Sequence, residues 1–293
     1  MKKNKNLILS IVFFSLFVVF MILVAVVDRQ AIGPNNSIVG FAALNKWFAD
    51  LVGVHMFLYT ITDWASILPT ATAIVFAVIG AIQLIKRKKL TKVDSSILIL
   101  AGFYFVDLII YLFFNKVVIN YRPVLIDGFL EPSFPSSTTL LSLTFMMFSI
   151  YQTDRLIKNK PARISVKVAS IALMLFLVVG RVIAGVHWIT DIIASLFLSL
   201  GLIFLYYYLC EICAAKATQK AIENEELNKN NKEELFDEKS AEIWNKNLSI
   251  KKDNSRCRKD KTVVFLFVKL FIQKLFHVAF VLFNAWLIER INT

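Results

Sequence analysis

Six apolar runs dominate the chain, at about residues 7–27, 64–85, 95–114, 136–151, 168–182 and 190–209. Roughly 20 apolar residues in helical form cross a hydrocarbon core. Backbone N–H and C=O groups find no water in lipid, so each run must satisfy its own by forming a helix. Barrel strands are short and alternate in polarity, which these runs do not. The expected fold class is all-α: a polytopic membrane helical bundle with six core transmembrane helices. Composition agrees, because 57% of the 293 residues are hydrophobic, more than an ordinary soluble domain carries. The first run is longer than a signal-peptide core and lacks a small-residue cleavage site, so it reads as a retained span.

The net charge of +12 would point to nucleic acid in a soluble protein. Here the basic residues sit in short loops between runs. Lys2, Lys3 and Lys5 precede the first run. Lys86, Arg87, Lys88, Lys89 and Lys92 separate the second from the third, and Arg155, Lys158, Lys160, Arg163 and Lys167 the fourth from the fifth. The positive-inside bias places these loops and the N-terminus in the cytoplasm of a multi-pass cell-membrane protein, with no nucleic-acid partner. Segments 28–63, 115–135 and 182–190 then lie outside. Within the first of these, "SIVGFAALNKWFADLVG" has helical apolar spacing, with Asn45, Lys46 and Asp50 elsewhere on the wheel. An interfacial helix over the bundle is expected.

Three regions follow: a membrane domain over 1–212, a charged tail or linker over 213–262, and an apolar helix over 263–293. The tail is rich in Lys, Glu, Asn and Asp, and reads as partly disordered or as a solvated helix. It is a candidate docking surface for a cytoplasmic partner or a second copy of the chain. In the last region Lys269, Gln273, His277 and Asn284 fall near one helical face. An in-plane amphipathic helix is favoured over a seventh span. Cys210 and Cys213 form a lone CxxC with no second pair for zinc, and read as small apolar residues at a helix end.

Polar residues collect on the outer side. Segment 115–135 carries Lys116, Arg122, Asp127 and Glu131, and leads into the hydroxyl run "PSSTT" with Ser136, Ser137 and Thr138. After the fifth run comes "GRVIAGVHWITD", with Arg181, His187 and Asp191. His187 and Asp191 are spaced i,i+4, one face of a helix. Two arginines offer forked donors for phosphate oxygens. The start of the fourth helix, at Ser136 to Thr138, offers amides and a helix dipole to an anion. A histidine beside a carboxylate can serve as nucleophile or general base. Each residue also has a plain structural use: Arg122 at headgroups, Arg181 snorkelling, His187 in an aromatic belt, Asp191 or Ser136 as helix caps. No metal cluster or cofactor is implied. Asp107, inside the third run, is either functional or paired with an interior polar group.

These residues resemble the type 2 phosphatidic acid phosphatase superfamily, membrane relatives of the vanadium haloperoxidases, in a Gram-positive bacterial branch. The resemblance covers about residues 55–210. The family has a Lys, six residues and Arg-Pro; then Pro-Ser-Gly-His; then Ser-Arg, five residues, His, three residues and Asp. The third motif stands here with both spacings intact and Gly180 replacing the Ser. The first appears as "NKVVINYRPVL" and the second as "PSSTT". The resemblance implies a membrane lipid phosphatase acting on a lipid phosphate or diphosphate at the outer face. His187 would be the nucleophile, forming a phosphohistidine, with Asp191 orienting it. Arg122, Arg181 and Ser136, with Ser137 and Thr138 beside it, would hold phosphate oxygens. Two departures stand out. The family's Lys register falls on Asn115, with Lys116 one residue off. Ser137 and Thr138 occupy the family's Gly and His positions, so the expected general acid is a threonine. General acid assistance matters least when the leaving group is itself a phosphate, which favours a polyprenyl diphosphate, such as undecaprenyl diphosphate. The alternative is a membrane protein that binds phospholipid or polyprenyl phosphate without hydrolysing it.

Overall fold

A computed structural model describes residues 2–244, with side chains over 5–228. The apolar helix expected over 263–293 and the end of the charged tail lie outside the described residues. The chain divides into two compact units, Met1–Ala214 and Ala215–Thr293. In the second, the described part is helical through Trp244, with exposed side chains over 216–228.

The elements are α1 (Lys2–Val26), α2 (Ala42–Val52), α3 (Met56–Ala65), α4 (Ile67–Arg87), α5 (Ser95–Lys116), α6 (Ser137–Leu156), α7 (Lys160–Ala184) and α8 (Ile189–Trp244). Among the described residues there are isolated β-bridges but no strand. The chain is a polytopic helical membrane bundle; among the described residues five helical stretches are long and apolar enough to cross a membrane. Two differ from expectation. The second stretch is longer, Met56–Arg87, because α3 and α4 run on with a break at Ser66. Pro69 explains the break: its ring excludes the carbonyl four residues back, at Ala65.

The expected fourth span is the other difference. α6 has the length but not the apolar composition, because it lies inside the bundle. Ten of its residues are buried, five of them Ser or Thr. A helix that touches protein on all sides is not selected for lipid solubility. Thr144 donates to the Leu140 carbonyl one turn back at 2.9 Å and Thr153 to that of Ser149 at 2.7 Å. Gln152 donates to the Tyr206 hydroxyl at 2.6 Å and to the Ser96 carbonyl at 3.0 Å, tying α6 to α8 and α5. Around this contact Phe103 packs edge-on against Phe148 and Tyr206, and those two rings are tilted at 45° to each other. Asp107 is fully buried on α5, and neither of its carboxylate oxygens has a hydrogen-bond partner.

α2 covers one end of the bundle. Asn45, expected with the outward polar residues, points inward and is fully buried. Its amide oxygen accepts the Thr190 N–H at 3.3 Å, and its nitrogen donates to the Gly40 carbonyl at 2.7 Å. It thereby caps the start of α8. Lys46 and Asp50 do face outward, as an i,i+4 pair at 3.0 Å.

Candidate active site

The ends of α5 and α7 and the starts of α3, α6 and α8 meet at the end of the bundle away from the basic loops. The segment between α5 and α6 folds back on itself. Asp127 and Gly128 both have positive φ, 49° and 84°. Ile126 and Phe129 exchange both backbone hydrogen bonds across them, at 3.0 and 2.8 Å. Asp-Gly is a favoured two-residue hairpin turn because it tolerates this geometry. The hairpin sets Arg122 opposite Glu131: the Arg122 N–H donates to the Glu131 carbonyl at 3.0 Å. Its base is locked where the Ser133 N–H meets the Asn120 carbonyl at 2.9 Å.

The other wall comes from the α7–α8 turn. α7 ends on Gly185 at φ +67°, and a Cβ there would lie 1.9 Å from the Gly53 carbonyl oxygen. Only glycine suits both the left-handed backbone and the close approach. Gly180, where the family has Ser, also sits under a neighbour: a Cβ would lie 2.5 Å from the Thr62 methyl group. Its absence lets α3 approach α7. At the start of α8, the Asp191 carboxylate reaches back to the Trp188 N–H at 3.0 Å, which is the reciprocal half of a capping box.

This turn presents a buried His187. Its Nδ1 lies 3.1 Å from the Ser133 carbonyl oxygen, and its Nε2 lies 3.1 Å from Arg122 Nη1. A carbonyl only accepts and a guanidinium only donates. Nδ1 therefore carries the proton and Nε2 the lone pair. Burial, with Arg122 and then Arg181 adding positive charge, holds the imidazole well below the usual histidine range, and the Ser133 carbonyl opposes this. His187 is neutral at pH 7, with the Nε2 lone pair on the cavity side accepting from Arg122.

Asp191 stands differently from expectation. Its nearest oxygen is 3.7 Å from Nδ1, and both residues are buried. The direct hydrogen bond goes to Ser133 instead. Asp191 is held by the Trp188 N–H at 3.0 Å and by the Asn120 amide at 3.5 Å.

The two arginines are fixed unequally. Arg181 is 1% exposed, and its Nη2 donates to Asp63 at 2.6 Å. Its guanidinium lies 4.8 Å from the Tyr59 ring centre, and that of Arg122 lies 6.0 Å from the same ring. Arg122 Nε sits 3.1 Å from Glu131.

A cavity of about 200 Å³ opens here, lined by Arg122, Glu131, His187, Ser133, Ser137, Asn115 and Tyr111 on its polar side. Ile110, Phe114, Phe134 and Leu140 line the rest. Several expected residues fall elsewhere. Ser136 is fully buried; its N–H goes to the Asp191 carbonyl at 3.2 Å and its hydroxyl to Thr139 at 3.0 Å. Its donors are spent on holding α6 to α8, and Ser137 alone of the hydroxyl run lines the cavity. Thr138 does not line it. Asn115 lines it and Lys116 does not, as the 100° step of a helix requires. Residues not foreseen from sequence are Tyr59, Asp63, Asn120 and Ser133. Among the described residues no group of three His, Cys, Asp or Glu side chains is placed to hold a metal ion.

Residues 113–212 match the family model of the PAP2 superfamily. The matched segment contains every cavity residue named above except Tyr111 and Ile110, and excludes Tyr59 and Asp63. No curated protein matches the sequence. Among solved structures, a transmembrane PAP2-type phosphatidylglycerolphosphate phosphatase from Bacillus subtilis is similar. It is 18% identical, with a TM-score of 0.49, over 69% of this chain and 96% of that one.

Proposed function

We propose that this protein is a membrane lipid phosphatase that works through a phosphohistidine. The observation that carries the reading is the tautomer of His187: proton on Nδ1 toward Ser133, lone pair on Nε2 toward Arg122 and the cavity. In the first step Nε2 attacks phosphorus; the N–P bond forms, and the phosphorus–oxygen bond to the lipid breaks with its electron pair leaving on oxygen. Nδ1–H stays on the Ser133 carbonyl while the ring gains positive charge beside Asp191. In the second step a water oxygen attacks phosphorus and the N–P bond breaks, releasing inorganic phosphate. Arg122 and Arg181 offset charge on the phosphate oxygens. Ser137, at the start of α6, adds a helix N-terminus to the same anion.

Thr138 lies off the cavity wall, and the one carboxylate on that wall, Glu131, is paired with Arg122, so the wall offers no free general acid to the leaving group. A leaving group that needs little protonation suits such a site. A polyprenyl diphosphate, which leaves as a phosphate, is therefore favoured over a lipid phosphomonoester. The basic loops lie at the opposite helix ends, which supports an extracytoplasmic site in a cell membrane. A second reading is favoured by one observation: Arg122 covers the His187 lone pair, as in a protein that binds a lipid phosphate without turnover. Phosphate release from lipid mono- and diphosphates, by the purified protein and by His187→Ala, separates the two. Turnover lost in the variant supports the enzyme; turnover absent in both supports the binder.

A further inference from the structure

Two guanidiniums and three carboxylates stand at or beside the proposed phosphate site, an odd balance for a pocket meant to hold an anion; Arg122 and Glu131 line the cavity, and Arg181, Asp63 and Asp191 do not. Asp191 belongs to the histidine. The other two carboxylates are each placed on one arginine. Asp63 accepts from Arg181 at 2.6 Å, and Glu131 lies 3.1 Å from Arg122 Nε. The partners are unlike in exposure. The arginine side chains are 1% and 12% exposed, whereas those of Asp63 and Glu131 are 57% and 42% exposed.

The arginines are also held by something other than the carboxylates. Both stack near the Tyr59 ring, a contact that survives when an acidic partner turns away. Arg181 keeps Nε and Nη1 without hydrogen-bond partners in a buried position. Such donors are costly unless an acceptor comes to them. Glu131 also lines the cavity itself.

We infer that Asp63 and Glu131 are resident counter-anions of the two arginines, displaced when a phosphate group binds and returning as it leaves. This rests on the phosphate-site reading above and adds a role in product release. Each carboxylate competes with phosphate oxygens for the same guanidinium. Removing one therefore strengthens anion binding, where loss of a purely supporting contact would weaken it. An exposed ion pair contributes up to about 1 kcal/mol, roughly fivefold in affinity, with a larger effect at the buried Arg181.

Inorganic phosphate binding to the full-length protein in detergent, measured by titration calorimetry, tests this. The proteins are wild type, Asp63→Asn, Glu131→Gln and the control Asp50→Asn, which breaks an exposed pair on α2. Phosphate should bind roughly threefold to tenfold tighter to the two site variants and equally to the control. In turnover, both site variants should show lower KM together with lower kcat, as phosphate leaves more slowly. Unchanged or weaker phosphate binding in the site variants, or equal tightening in Asp50→Asn, overturns the inference. Absence of phosphate binding in all four proteins overturns the phosphate-site reading beneath it.

Discussion

Replacing Asp191 with Asn separates charge from shape at the centre of the site. The amide oxygen can still accept the Trp188 N–H that Asp191 accepts at 3.0 Å, so the α7–α8 turn keeps its cap. The amide nitrogen then faces the Asn120 nitrogen, now 3.5 Å from the carboxylate, and one weak hydrogen bond is lost. That costs about 1 kcal/mol, partly offset because a buried charge is removed. The thermal midpoint in detergent should move little. Catalysis should move far more. Attack by Nε2 makes the ring positive, and the carboxylate stands 3.7 Å from Nδ1. At an effective dielectric of about 20, unit charges at this distance attract by about 4 kcal/mol. The transition state carries only part of that charge, which leaves about 2–4 kcal/mol, or a kcat lower by roughly 30- to 1000-fold. Initial-rate phosphate release on folded, monodisperse protein is the assay. A kcat within threefold of wild type would refute the claim that Asp191 acts by charge rather than by direct orientation.

Other expectations are of the same kind. Asn115→Lys restores a cation to the cavity wall and should lower KM for an anionic lipid severalfold, while Lys116→Ala should change it less than threefold. Arg122→Lys loses the fork that reaches both Glu131 and His187 and should reduce kcat/KM by roughly 10- to 100-fold. Gly185→Ala places a Cβ against Gly53 at positive φ and should destabilise the fold by about 2 kcal/mol or more, seen as a lower thermal midpoint. His187 has its proton affinity lowered by folding. As pH falls below about 6.5 the unfolded chain takes up a proton there and the folded one does not, so this residue's contribution makes stability fall toward acid. For the same reason the acid limb of kcat/KM due to His187 should lie below that pH.

Hydropathy made most of the bundle legible, because lipid-facing helices cannot hide their composition. It failed at α6 as a marker of apolarity, since that helix is buried in protein, where Ser142, Thr144 and Thr153 bond to their own backbone. The spacing of Arg181, His187 and Asp191 was legible, and the structure sets them at the end of α7, in the connection and at the start of α8. The partners of His187 were less accessible. Ser133 acts through its carbonyl, which any residue could supply. Ser136 has the right side chain at the right place, yet its donors are used between α6 and α8. Asp63 and Tyr59 lie in a segment whose apolar neighbours gave no sign of a site, and they reach Arg181 only because Gly180 lets α3 approach α7. The Asp127–Gly128 hairpin turn, seen only in the structure, explains how Arg122 comes to face His187.

Rapid quenching during turnover of a polyprenyl diphosphate labelled in its terminal phosphate tests the proposed chemistry most directly. An acid-labile, base-stable phosphate on His187, absent from His187→Ala along with turnover, is the result expected. Steady phosphate release with no label on His187, undiminished in His187→Ala, would contradict it.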